Sequence, residues 1–120
     1  MFNGISDFCV MCKDRVTAKV HLDENNNVTV EKLSMRITEQ PFYGGPVDLN
    51  RITDFFEGRC YQRNYAGIDD VLKAFGLTEY NAWEMVKINH GYMSKDDLWI
   101  KFPGENLTWE DVNVSRPHDR

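Results

Sequence analysis

Three observations predict an α+β domain, a small antiparallel sheet packed with about three helices. β-Branched runs separated by Asn- and Asp-rich breaks fill residues 7–33, apolar residues recur at helical spacing across residues 49–86, and a short β-like run returns at residues 98–102. A chain of 120 residues buries about two-thirds of its unfolded surface, enough for one modest core. Residues 1–113 read as that single domain, and residues 114–120 as a polar, proline-bearing tail.

The first run, Phe8-Cys9-Val10-Met11, turns at Cys12-Lys13-Asp14-Arg15 into a second at residues 16–22. Asp23-Glu24-Asn25-Asn26-Asn27 then leads to a third at residues 28–33. Asn and Asp tolerate the left-handed backbone that such turns demand, so a three-stranded meander is expected. Strict alternation along the second strand places Val16, Ala18, Val20 and Leu22 on one face, and Thr17, Lys19 and His21 on the other.

The connector Pro41-Phe42-Tyr43-Gly44-Gly45-Pro46 excludes regular helix and central strand. Its aromatics either plug a core edge, the better-supported reading in so small a domain, or form a surface contact. A helix then begins at Asp48, a residue type that accepts from orphan backbone N–H groups, and Leu49, Ile52 and Phe56 follow at core spacing. Ile68, Val71, Leu72 and Phe75 form the stripe of a second helix, closed by Gly76. Thr78 is placed to cap a third, ending near Asn89 and stopped by Gly91, with Ala82 and Met85 inward and Glu84 and Lys87 outward. Leu98, Ile100 and Phe102 then share one face of a fourth strand, Trp99 and Lys101 the other, and one helical turn is expected near Thr108-Trp109-Glu110-Asp111.

The net charge is −5, and beyond residue 68 acids outnumber bases. That balance argues against a phosphate-backbone binder, which needs clustered Lys and Arg. It suits docking onto a basic surface of another protein, with Asp69, Asp70, Glu79, Glu84, Asp96 and Asp97 as the candidate contacts. The competing reading of the same acids is solubility and the capping of helices and turns. There is no apolar run long enough to span a bilayer, and Met1-Phe2-Asn3-Gly4 lacks the basic start and apolar core of a signal peptide, so a cytoplasmic protein is expected.

An odd count of three cysteines speaks against a disulfide framework. Cys9 and Cys12, spaced across a predicted turn, could share a structural zinc ion with Cys60 and a histidine, His21 being the first choice and His90 the second. Idle or buried thiols are the alternative. A redox role for Cys9-x-x-Cys12 would need a helix N-terminus to lower the thiol pKa, whereas the motif falls in a hairpin. His21, His90 and His118 are isolated, no Ser or Cys sits in a nucleophile elbow, and Gly44-Gly45 is followed by Pro46 rather than by a phosphate-binding Lys. A protein without enzymatic activity is therefore expected.

Several motifs are similar to the region preceding the kinase domain in HipA-like serine/threonine kinases. They are Phe55-Phe56-Glu57-Gly58-Arg59 with Arg63-Asn64, Ala74-Phe75-Gly76-Leu77, and Ser94-x-x-Asp97-Leu98-Trp99-Ile100-Lys101 leading to Trp109-Glu110-Asp111-Val112-Asn113. The resemblance covers most of the chain and includes no ATP-binding or catalytic segment, so it implies an accessory module that binds rather than catalyses. Two uses follow. One is a small acidic inhibitor that resembles phage anti-CRISPR proteins in size and charge and blocks the basic nucleic-acid surface of a type II CRISPR effector nuclease. The other is a kinase-less regulatory or docking part of a HipA-like toxin system.

Overall fold

The computed structural model describes residues 7–36, 38–42, 44, 46–93 and 96–114. Strands β1 (Asp7–Cys12), β2 (Arg15–Leu22) and β3 (Val28–Lys32) form the expected meander. A fourth strand, β4 (Leu98–Lys101), pairs antiparallel with β1, giving the order β3-β2-β1-β4. Helices α1 (Leu49–Glu57), α2 (Ile68–Phe75), α3 (Ala82–Asn89) and α4 (Trp109–Val114) complete the α+β fold. The tail beyond residue 114 lies outside the described residues, as do Tyr43 of the connector and Ser94 of the turn before β4.

Local chemistry sets most boundaries. Lys13 and Asn26 take the left-handed backbone at the two hairpin turns, and Asp23 Oδ1 accepts from the N–H groups of Asn25 and Asn27. Asp48 caps α1 through a 2.9 Å bond from Arg51 N–H. The start of α3 differs from expectation. Asn81, not Thr78, is the cap, because its extended backbone lets Oδ1 accept from Glu84 N–H at 3.2 Å.

The sheet separates two apolar clusters. Phe8, Val10, Ala18, Val20, Leu22, Leu98 and Ile100 face α1 and α3, which supply Ile52, Phe56, Trp83 and Val86. Phe56 joins the layers, its ring centroid 5.1 Å from Phe8 and 4.7 Å from Trp83. Phe42 is buried in this core, edge-on to Phe55 at 5.3 Å, so the connector's first aromatic plugs the core. On the other face Met11, Trp99, Tyr92 and Val112 form a smaller cluster under α4. Leu72 is the buried residue of α2, yet α2 places no side chain in either cluster and stands at the margin of the body.

One strand breaks the expected alternation. Val10 pairs with Ala18 but Met11 pairs with Val16, leaving Thr17 as the extra residue of a β-bulge. Val16 consequently lies with Cys9, Met11 and Trp99, opposite Ala18, and Thr17 turns into the protein, fully buried. Val16 thus reverses the facing predicted by simple alternation, and Thr17 is buried where that pattern set it on the polar face. The bulge has a use, since Thr17 Oγ1 lies 2.6 Å from the Glu39 carbonyl and 3.1 Å from that of Val10, while its own carbonyl accepts from Leu33 and Ser34 N–H.

This bulge anchors the connector. Glu39 takes a two-pronged contact from Arg15 at 2.9 and 2.7 Å and a hydroxyl bond from Ser34 at 2.6 Å. Hydrogen bonds from Arg15, then Ser34, hold its carboxyl down at about 2, against an ordinary 4.5. A carboxylate lowered on folding stabilises fully above its unfolded value, and that contribution is lost as pH falls from about 4.5 toward 2. Urea midpoints measured over that range should fall less steeply for Glu39→Gln than for the wild type. Equal slopes would remove Glu39 as the anchor.

Candidate functional site

The predicted metal donors occupy separate surroundings. Cys9 and Cys12 lie in the same strand three residues apart, and alternation sends them to opposite faces: Cys9 packs with the Trp99 cluster and Cys12 with the larger core. The two residues are not spread across a turn, as the spacing suggested, because β1 runs through Cys12 before the chain reverses. Cys60 follows α1, its Sγ 3.3 Å from the Phe56 carbonyl. His21 is exposed, with Nδ1 2.6 Å from Asp7 Oδ1. His90 caps α3 in a left-handed conformation and places Nε2 2.8 Å from Glu105 Oε2. The described residues contain no group of three or more His, Cys, Asp or Glu side chains placed to hold a metal ion.

The thiols are also poorly disposed to ionise. Burial raises Cys9 against the opposing charges of Lys19 and Lys101, burial raises Cys12, and burial pushes Cys60 up to about 11 despite the neighbouring Tyr80 hydroxyl. Alkylation of the native protein by iodoacetamide at pH 8 is expected to be slowest at Cys60, with the three cysteines converging in rate once urea unfolds the chain. Mass-spectrometric peptide mapping reads the order directly. Fastest reaction at Cys60 would contradict its placement.

The six predicted contact acids divide by environment. Asp69 and Asp70 lie exposed in the first turn of α2, where Gly67 supplies no capping side chain and their charges complement the helix dipole. Glu79 is exposed between α2 and α3. Among the described residues none of these three forms an ion pair. Glu84 lies 3.6 Å from Lys87 on α3. Asp97 is exposed just before β4, and its carbonyl accepts from Lys13 N–H of the first hairpin turn at 2.9 Å.

Asp96 is committed to the fold. Arg59, whose side chain is only 7% exposed, reaches its two carboxylate oxygens at 2.6 and 2.9 Å. The same guanidinium donates to the carbonyls of Gly91 at 2.8 Å and Leu98 at 2.7 Å. Ile100 N–H donates to the His90 carbonyl, so much of the outer edge of β4 is satisfied from within the chain. Two of the segments carrying the kinase-module resemblance, 55–59 and 94–101, meet at this clamp.

Beside α2 lies a surface that sequence reading did not single out. The Tyr61 ring lies tilted against Tyr65, centroids 5.0 Å apart, and edge-on to Phe75 at 6.5 Å, and Tyr80 donates its hydroxyl to the Tyr61 carbonyl at 2.9 Å. Arg63 lies over the Tyr80 ring at 4.4 Å and pairs with Glu57 at 3.3 Å. Tyr65 remains 46% exposed. Tyr and Arg are the residue types that anchor protein interfaces, and here they adjoin the unpaired acids of α2. Three tyrosines within 20 residues were the available signal, but only the fold shows them converging.

No helix among the described residues is long and apolar enough to cross a membrane. Compared with protein-family models, curated proteins and solved structures, the chain gives no match. The fold and site thus define a small α+β domain with an acidic, aromatic surface.

Proposed function

We propose that this protein is a non-enzymatic binding module whose α2 surface docks on a basic surface of another protein. The observation that carries the proposal is the exposure of Asp69, Asp70 and Glu79, free of ion pairs among the described residues, beside the half-exposed Tyr65. Carboxylates steer encounter with a basic partner, and the aromatic rings offer buried contact once water is excluded. In concrete form it is an inhibitor of a type II CRISPR effector nuclease, occupying a channel that would otherwise hold nucleic acid. The mechanism needs no metal; a structural zinc ion at Cys9, Cys12, Cys60 and His21 is a separate proposal that requires β1 to rearrange, since Cys9 and Cys12 face opposite sides of the sheet, and elemental analysis of purified protein tests it.

Guide-directed cleavage of a DNA target tests the concrete form. Stoichiometric protein added to the nuclease should abolish cleavage, while full cleavage at large excess would reject it. The docking module of a HipA-like system is the second reading, and the meeting of its two resembling segments at Arg59 is what supports it. It predicts a neighbouring reading frame that encodes the kinase domain.

A further inference from the structure

Among the described residues, the second face of the sheet is only half covered. The Tyr92, Leu107, Trp109 and Val112 side chains shield Met11 and Trp99, but not the part of the face bearing Lys19, His21, Thr29 and Glu31. That part forms a groove of about 530 Å³, closed on one side by residues 102–105. The volume falls in the range of small-molecule sites. Cys9 and Val16 supply side chains to its floor, Phe8 and Val20 border it only through their backbone because their side chains face the larger core, and Phe102 and Pro103 contribute to its wall.

The charges of the groove are unevenly matched. Asp7 is bonded to His21, and Glu105 to His90 and to the N–H of Phe102. Lys19 and Lys101 form no ion pair among the described residues. Both are register partners of Cys9, one on each side of the central strand. Their Cα atoms are thus two strand spacings apart, about 10 Å, and both ammonium groups can reach one anion held above Cys9. Glu31, the remaining carboxylate, is the register partner of Lys19 on edge strand β3, on the side of β2 away from Cys9, and forms no ion pair with it among the described residues. The flexible lysine stems extend the apolar floor toward the charged heads.

We propose that this groove binds a small organic anion with an apolar body, its charged group bracketed by Lys19 and Lys101. Naphthalene-2-sulfonate, titrated into the full chain at low salt and followed by amide chemical shifts, is a suitable probe. Saturable shifts centred on Cys9, Lys19 and Lys101 are expected. The double variant Lys19→Met, Lys101→Met keeps the apolar stems and should weaken binding about tenfold or more, in line with the loss of charge-assisted contacts. Unchanged amide positions away from the groove establish that the variant is folded. The matched cation, 2-naphthylmethylammonium, should bind more weakly than the sulfonate. Equal affinity for the cation, unaltered affinity in the folded double variant, or shifts centred elsewhere would overturn the proposal.

Discussion

Asp96→Ala is expected to destabilise the fold by about 3 kcal/mol, seen as a fall of roughly 10–15 °C in thermal midpoint. The cost comes from Arg59 more than from the lost carboxylate. A guanidinium whose side chain is 7% exposed would retain its carbonyl bonds to Gly91 and Leu98 but lose its counter-charge, and an uncompensated buried charge is among the most damaging defects in a small core. The figure sits at the lower end for buried pairs because Asp96 itself is 30% exposed and water can partly replace it. Asp97→Ala removes an adjacent acid whose side chain is exposed, and should change stability by about 0.5 kcal/mol or less. Urea unfolding of the two variants beside the wild type separates them; similar losses would refute the distinction between the neighbouring acids.

Gly91→Ala is the second large effect, at about 2–4 kcal/mol. Gly91 has φ +64, and a Cβ there would stand 2.8 Å from Ile100 Cδ1 and 3.2 Å from Arg59 Cβ. Left-handed strain and overpacking therefore act together, at the carbonyl that Arg59 grips. Gly76→Ala provides the comparison, since it shares the left-handed backbone at φ +75 but meets no atom within 4 Å. It should cost about 1–2 kcal/mol, the conformational part alone. Equal losses at the two glycines in thermal unfolding would show that the close approach at Gly91 is relaxed without penalty.

Features specified by neighbouring residues were legible in the sequence. The meander, the Asp48 cap, the α2 stripe with Gly76 and the facing of Leu98, Trp99 and Ile100 all follow from local pattern. Features created by distant contacts were not. Thr17 looks like any outward residue of an alternating strand, and only the Glu39 carbonyl, 22 positions away, explains why it turns inward. Arg59 reads as a charged residue after a helix, yet its partners lie 32 to 39 positions downstream. The same separation removed Asp96 from the acids available to a partner.

The candidate sites divide along the same line. A Cys-x-x-Cys spacing carries no information on whether the chain turns between the thiols, and here the strand continues through both. Acid counts showed where negative charge accumulates but not which carboxylates are spoken for. Asp69, Asp70 and Glu79 stay available because they lie on α2 and the loop after it, outside the two packed clusters.

The central claim, docking through α2 onto a basic partner, is tested most directly by the salt dependence of binding to a purified type II CRISPR effector nuclease. Isotherms for the wild type should weaken steeply as salt rises from about 50 to 500 mM, where screening shortens to a few ångströms. The exposed-site variant Asp69→Asn, Asp70→Asn, Glu79→Gln should bind weakly at every salt concentration and lose most of that dependence. Tight binding by the variant with an unchanged salt slope would contradict the assignment of α2, and absence of wild-type binding at low salt would contradict this partner.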